Sequence, residues 1–357
     1  MTLLLSNDDV ASLLTMPECI AALEEAYVEL AEGRGINRIR SDCLAPVKDR
    51  PDALYGLKSM DGVIPKFGVG AVRIDSDVVT WPRKGNTMVR EKVPAAGGRW
   101  VGLVLLFSCD NGEPLAIMPD GVMQHIRVGA TSGLGVKYMA RANARTVGIL
   151  GSGWQAETQL TAACAVRKIE SIRCFSPTKA NREAFSKRMS ETLGIPVTPV
   201  DTPEAAIKGV DLVMCASNSI DNIYFERWLE PGIHLSSIKR PEIEIAALKK
   251  CDRVITHSHE ATPMHFTTKG LKVVEKSAGK GWKVAEEFDF NTMPTLPEVI
   301  VGRYQGRTND REITCFMNNL GMGYQFAAAG SVVIRKAKEL GVGREFPTDW
   351  FTQDVHP

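Results

Sequence analysis

A chain of 357 residues is longer than one hydrophobic core usually supports, so two domains are expected. Its 44% apolar and 24% charged content is that of an ordinary globular protein and excludes a disordered, collagenous or coiled-coil chain. The 43 Lys plus Arg balance 42 Asp plus Glu and no cationic block is interleaved with aromatics, so nothing gathers a polyanion: the expected partner is a small molecule, not nucleic acid.

The eight cysteines stand singly, with no C-x-x-C pair, so neither a disulfide framework nor a zinc knuckle is expected, and no metal is assigned. Met1 to Leu5 carries no basic region, and Ser6-Asn7-Asp8-Asp9 arrives too early for a signal sequence. The densest apolar run, Trp100 to Phe107, is too short for a bilayer, so the expectation is a cytoplasmic protein without a membrane partner.

In chain order, Ser6-Asn7-Asp8-Asp9 offers a helix cap, and apolar residues from Val10 to Leu30 recur at helical spacing up to Gly33, which predicts two amphipathic helices. Leu54 to Lys58, Val69 to Arg73 and Val101 to Ser108 then read as short strands, and Trp81 to Arg99, rich in small and basic residues, as a long loop. From Arg145 the texture becomes strand and helix in alternation. Strands are expected at Thr146–Leu150, Ser171–Ser176, Val197–Val200, Asp211–Ala216, Ile233–Ile238 and Arg253–His257, with helices at Gln155–Val166, Asn181–Leu193 and Pro203–Lys208. This pattern calls for an α/β fold, a Rossmann-type doubly wound parallel sheet. A last helix, Gly321 to Leu340, has a small-residue face and is stopped by Gly341-Val-Gly343.

The strand Thr146–Leu150 runs directly into Gly151-Ser152-Gly153-Trp154-Gln155-Ala156, a G-x-G-x-x-A in the strand, turn and helix setting that a dinucleotide requires. Gly151 allows the tight turn, Gly153 lets the backbone approach the pyrophosphate, and Ala156 keeps helix and strand close. At the end of the second strand an NAD site usually carries an acid against the ribose. Here the chain reads Ser176-Pro177-Thr178-Lys179, with Arg182 following, so two hydroxyls and two cations suit a 2′-phosphate, and NADP is favoured over NAD. The candidate cofactor set is completed by Thr131, Ala216, Ser217, Asn218, Ser237 and Ile238.

Three cations in the first part of the chain, Arg40, Lys58 and Arg127, stand at strand or helix boundaries; each taken alone is as readily a surface cation as a ligand. With Pro114 to Asp120-Gly121, Arg127-Val-Gly-Ala-Thr131-Ser132, Gly148-Ile-Leu-Gly151-Ser-Gly153-Trp-Gln155, Pro231-Gly232-Ile-His234 and Leu320-Gly321, the sequence resembles the ornithine cyclodeaminase and mu-crystallin family over nearly its whole length. The resemblance implies a homodimer and a discontinuous α+β substrate-binding and dimerisation domain, 1–130 plus 320–357, around a dinucleotide domain, 131–319. It also implies that Arg40, Lys58 and Arg127 are the catalytic set, holding the carboxylate of an amino or imino acid beside the nicotinamide; a guanidinium fork and an ammonium are suited to that task. Lys58, crowded by the two arginines, is expected to have a lowered pKa and to manage the proton.

The chain departs from the family's cyclodeaminases where they carry an aspartate after the fifth Rossmann strand, reading Ser236-Ser237-Ile238-Lys239-Arg240-Pro241-Glu242 instead. Lys239 and Arg240 would repel a substrate ammonium there, or else simply face solvent. Arg73-Ile-Asp75-Ser-Asp77 lies in a stretch longer than the family norm. The expected activity is an NADP-dependent oxidoreductase that interconverts an α-imino or α-keto acid and its amino acid. The alternatives are a redox-neutral cyclodeaminase, and a non-catalytic ligand-binding or accessory protein like mu-crystallin. His257, His259 and His265 form H-x-H-x5-H, which matches no closed zinc pattern and is read as loop histidines.

Overall fold

The computed structural model describes residues 1–84, 87–88, 91–219, 221–259, 263–271 and 288–355. The chain divides into two compact units, one of Met1–Gln124, Ala261–Ser277 and Gly321–Pro357, the other of His125–Glu260 and Ala278–Leu320. Among the described residues no helix is long and apolar enough to cross a membrane.

The first unit is built on a mixed sheet whose main path runs Met264–Thr267, Ser41–Val47, Arg50–Ile64, Val69–Thr80, Val101–Ser108, Pro114–Pro119, Thr2–Leu4 and Arg344–Phe346. The strands Arg50–Ile64 and Val69–Thr80 are much longer than the short runs that the sequence suggests. Their inward positions alternate over Gly56–Ile64 and Val69–Val79, but several of them carry charge, which breaks the apolar period that a sequence reading relies on. Part of the expected loop Trp81 to Arg99 is also strand: Glu91–Val93 pairs with the end of Val69–Thr80. Residues 85–86 and 89–90 of that segment lie outside the described residues.

The helix Gly323–Leu340 lies on the inward face, and the helix Met16–Ala31 packs against it. The first meets the sheet backbone to backbone at Gly62 and Gly323: a Cβ on Gly62 would stand 2.3 Å from the Cα of Tyr324, and one on Gly323 2.3 Å from the amide nitrogen of Asp61. The helices are also joined by polar contacts. The Tyr324 hydroxyl donates to the Ala26 carbonyl at 2.8 Å and the Gln325 amide donates to the Tyr27 hydroxyl at 3.1 Å.

The second unit holds a parallel sheet of seven strands among the described residues, in the order Val197–Pro199, Ser171–Phe175, Thr146–Leu150, Leu212–Cys215, His234–Ser237, Thr314–Met317 and Arg253–Thr256. Apolar clusters pack on its two faces, one around Ile149, Leu160 and Phe185, the other around Val213, Leu235 and Tyr224. The strand order reverses between Thr146–Leu150 and Leu212–Cys215. In an open α/β sheet that reversal leaves a crevice at the carboxyl ends of the strands, the usual place for a ligand.

Candidate functional site

The crevice of the second unit holds a cavity of about 760 Å³. Its floor is the turn after Thr146–Leu150. Gly151 takes φ 129, a conformation open to glycine, and a Cβ there would stand 2.2 Å from the Ala216 carbonyl oxygen. Gly153 is the N-cap of the helix Trp154–Val166, with no side chain capping it and no atom within 4 Å of where its Cβ would be. Unsatisfied first-turn N–H groups therefore face an unobstructed approach, which suits a pyrophosphate. Ala156 is fully buried, as close packing of that helix requires.

The structure brings Gly151, Ser152, Gly153, Trp154 and Gln155 to this cavity, with Ser176, Thr178, Ala216, Ser217, Asn218 and Ile238. Asn181, in the first turn of the helix Lys179–Leu193, Trp228, in a short 3-10 helix, and Ser219 and Asn222, in loops, line it too, and sequence reading missed them because no motif marks them. Four expected residues do not line it. Thr131 bonds its own helix, donating to the Arg127 carbonyl at 2.9 Å, and the Ser237 hydroxyl is directed at Lys239 and Glu242. Lys179 is exposed, 3.8 Å from Glu183. Arg182 corrects the expectation that it meets a 2′-phosphate: it is buried, donates to the Ser176 carbonyl at 3.2 Å and pairs with Asp201, so it braces the loop from beneath. His125 stacks on Trp154 at the rim, with ring centroids 4.1 Å apart, and burial pushes its pKa down.

Arg127 belongs to the same unit and is buried on the helix Gly121–Met139. Asn318, at the end of Thr314–Met317, steadies that helix by donating to the Val128 carbonyl at 3.1 Å and to the Ser132 hydroxyl at 3.0 Å. His257 is buried with its Nδ1 donating to the Leu320 carbonyl at 2.6 Å. Burial, only partly offset by that bond and reinforced by the Arg127 charge, takes its pKa down to about 4. The three histidines of the H-x-H-x5-H pattern part company: His259 donates to the Met293 carbonyl at 2.7 Å, and His265 lies on a strand of the first unit, 3.7 Å from Asp42. Among the described residues no three His, Cys, Asp or Glu side chains gather as a metal site.

Arg40 and Lys58 lie in the first unit, on one face of its sheet. The register sets Asp42 opposite Lys58 and Lys58 opposite Asp75, while Asp77 faces Gly56. The Lys58 ammonium donates to both Asp77 oxygens at 2.5 Å and lies 3.7 Å from Asp75. Lys92 reaches the same pair, 3.1 Å from Asp75 and 3.0 Å from Asp77. Arg40 grips Asp42 with two parallel bonds, 2.7 and 2.5 Å. Arg73 donates to Asp120 at 2.7 and 2.5 Å, and Gly102 makes this possible: a Cβ there would stand 2.2 Å from the Asp120 carboxylate.

Within this unit the Lys58 ammonium meets the carboxylates of Asp77 and Asp75 directly and shares them with Lys92. Burial works against the Asp77 charge, but the bonds and charges of Lys58 and Lys92 outweigh it and hold that carboxyl below the usual range. Burial likewise works against Arg40, and Asp42, with Asp75 and Asp77 behind it, raises its pKa nonetheless. Sequence reading singled out Arg73-Ile-Asp75-Ser-Asp77 as an insert. Its i, i+2 charge spacing was the available signal that these side chains share one strand face with Lys58.

Lys239 and Arg240 are both partly buried, and Lys239 reaches a residue of the cavity wall. The Lys239 ammonium donates to the Ser219 carbonyl at 2.5 Å, and the Arg240 guanidinium lies 5.0 Å from the Phe290 ring centroid.

Residues 87–340 match the Ornithine cyclodeaminase/mu-crystallin family. A Delta(1)-pyrroline-2-carboxylate reductase of Bacillus cereus is 28% identical over 349 residues, covering 96% of this chain and 99% of that protein. An alanine dehydrogenase of Archaeoglobus fulgidus is 27% identical over 355 residues, 96% of this chain and 97% of that one. Among solved structures, that of Thermococcus litoralis Delta(1)-pyrroline-2-carboxylate reductase in complex with NADH and L-proline aligns with a TM-score of 0.78 at 26% identity, over 97% of this chain and 100% of that one. The matched span, the glycine turn at a sheet reversal and the likeness over whole chains lead to one statement: this chain belongs to the ornithine cyclodeaminase/mu-crystallin family.

Proposed function

We propose that the chain is an NAD(P)-dependent oxidoreductase that reduces a small α-imino acid to the amino acid, or runs that reaction in reverse. The observation that carries this reading is the glycine turn, Gly151 and Gly153, set at the sheet reversal and opening on a cavity with room for a dinucleotide. The activities named for the relatives above, reduction of a cyclic imino acid and dehydrogenation of an amino acid, support it.

The bound nicotinamide supplies a hydride to the imine carbon. The chain's residues do the rest. The first turn of Trp154–Val166 receives the pyrophosphate. Arg40 and Arg127 are assigned to the substrate carboxylate, for which a guanidinium fork is the natural partner. Lys58, whose ammonium donates to Asp77 and lies 3.7 Å from Asp75, is assigned as the acid that delivers a proton to the imine nitrogen. We favour NADP over NAD because no Asp or Glu directly follows Ser171–Phe175 in sequence and none lines the cavity among the described residues, while the Ser176 and Thr178 hydroxyls do, with Lys179 close by in sequence. A homodimer is part of the proposal: one face of the first unit's sheet exposes Tyr55 and Leu57 on one strand and Val101 and Leu103 on another, with Ile74, Ser76 and Val78 of the strand between them, a largely apolar surface that a second copy would cover.

The test is a screen of imines formed from keto acids and amines, following the absorbance of the reduced cofactor. Cofactor oxidation matched by amino acid formation is expected. No oxidation with any cyclic or open-chain imino acid would refute the proposal.

A further inference from the structure

Glu242 is fully buried, and nothing in the reaction just described uses it. Its Oε1 accepts the Ser217 N–H at 2.6 Å and the Ser217 hydroxyl at 2.8 Å. Its backbone carbonyl accepts the N–H groups of Ile223 and Tyr224 at 2.8 and 3.0 Å. Its Oε2 stands 2.7 Å from Ser237 Oγ, which itself stands 2.7 Å from the Lys239 carbonyl oxygen and 3.3 Å from the Lys239 amide nitrogen. Ser217, Ile223 and Ile238, the residue between Ser237 and Lys239, all line the dinucleotide cavity.

The proton count around Ser237 bears on the state of this acid. A serine hydroxyl has one proton, and a backbone carbonyl can only accept. If the Ser237 proton goes to the Lys239 carbonyl, the contact between Oε2 and Oγ needs a proton of its own, and the only group able to bring it is Glu242. An ionised carboxylate would leave two oxygens face to face at 2.7 Å, or would draw the hydroxyl away from Lys239.

We infer that Glu242 is a positioning residue, a neutral carboxylic acid at neutral pH that fixes the walls of the cofactor cavity by clamping Ser217 on one side and Ser237 on the other. The clamp function rests on the proposed cofactor reading; the proton on Glu242 does not. Burial agrees with it, pushing the carboxyl above its usual range against the opposing pulls of Lys239, Ser237 and Ser217. The titratable groups facing Glu242 are Lys239, which burial pushes down while Glu242 pulls it up, and Cys215, whose thiol is pushed well up by burial and then by Glu242.

Glutamine reproduces the neutral acid: its carbonyl accepts both Ser217 donors and its amide donates to Ser237. E242Q should therefore bind NADPH within about twofold of the wild type at neutral pH, while E242A, losing the side-chain bonds, should bind about tenfold more weakly. Raising the pH ionises the wild-type acid and should weaken its NADPH binding, with no such loss in E242Q. Infrared difference spectra of wild type minus E242Q at neutral pH should show the carbonyl stretch of a protonated carboxyl, and this comparison stands even if E242A fails to fold. A carboxylate signature alone, or E242Q binding more weakly than wild type by tenfold, would overturn the inference. If the wild type bound neither dinucleotide while the carboxyl band was present, the cofactor reading and the clamp would fall, and the neutral acid would stand.

Discussion

Replacing Asp77 by Asn tests whether the charged face around Lys58 is a built network. Asp77 is buried, and its two oxygens each take a 2.5 Å bond from the equally buried Lys58 ammonium. Removing one partner of a buried ion pair costs about 3–5 kcal/mol, because the other charge stays desolvated. Two features place Asp77→Asn toward the lower end, about 3 kcal/mol on that scale. Asp75 remains 3.7 Å from the ammonium, and Lys92, with its side chain 35% exposed, can turn to water. Asparagine keeps the volume, so no cavity forms. The sign with pH follows from Asp77's lowered pKa: its stabilisation is fully present above the unfolded carboxyl value, about 3.9, and is lost as pH falls through the lower folded value. Urea unfolding of wild type and Asp77→Asn should thus differ clearly at neutral pH and converge as the wild-type carboxyl protonates. A difference below about 0.5 kcal/mol at neutral pH, the range of an unremarkable surface change, would refute the network.

Other residues give sharper readouts of the cofactor and the substrate. Gly151→Ala, with its Cβ 2.2 Å from the Ala216 oxygen and its φ at 129, should weaken dinucleotide binding at least about tenfold in a fluorescence titration, through displacement of the turn. Arg182→Ala, losing its bonds to the Ser176 carbonyl and Asp201, should lower thermal stability and leave the preference between NADPH and NADH unchanged. Arg40→Ala and Arg127→Ala should each abolish turnover while NADPH affinity stays within about twofold, and lysine should rescue poorly because a point charge does not replace a planar fork. Unaltered turnover in either alanine variant would remove that arginine from the carboxylate site.

The parts of this molecule legible in the sequence are those where one local rule acts alone. The strand Thr146–Leu150 and the glycine turn after it carry an apolar run and a backbone requirement that nothing else competes with, and both stand where expected. The strand Val69–Thr80 was only half visible, since Arg73, Asp75 and Asp77 take inward positions where the period-2 rule expects apolar residues. Its charges are tolerated because partners from Arg50–Ile64, Glu91–Val93 and Asp120 meet them, and those partners are brought together by pairings far apart in the chain. Arg182 was misplaced for a related reason: a cation one turn into a helix reads as available, and only the fold supplies Asp201 to occupy it. Glu242 gave no signal, because a lone acid in a polar loop looks solvated until the strands around it close.

The central claim, net transfer of a hydride to an imino acid, is tested most directly by stoichiometry. A cyclic imino acid of the pyrroline-2-carboxylate type, supplied with NADPH to the purified protein, should consume one reduced cofactor for each amino acid formed. Conversion of ornithine to proline with no net change in the cofactor would contradict it.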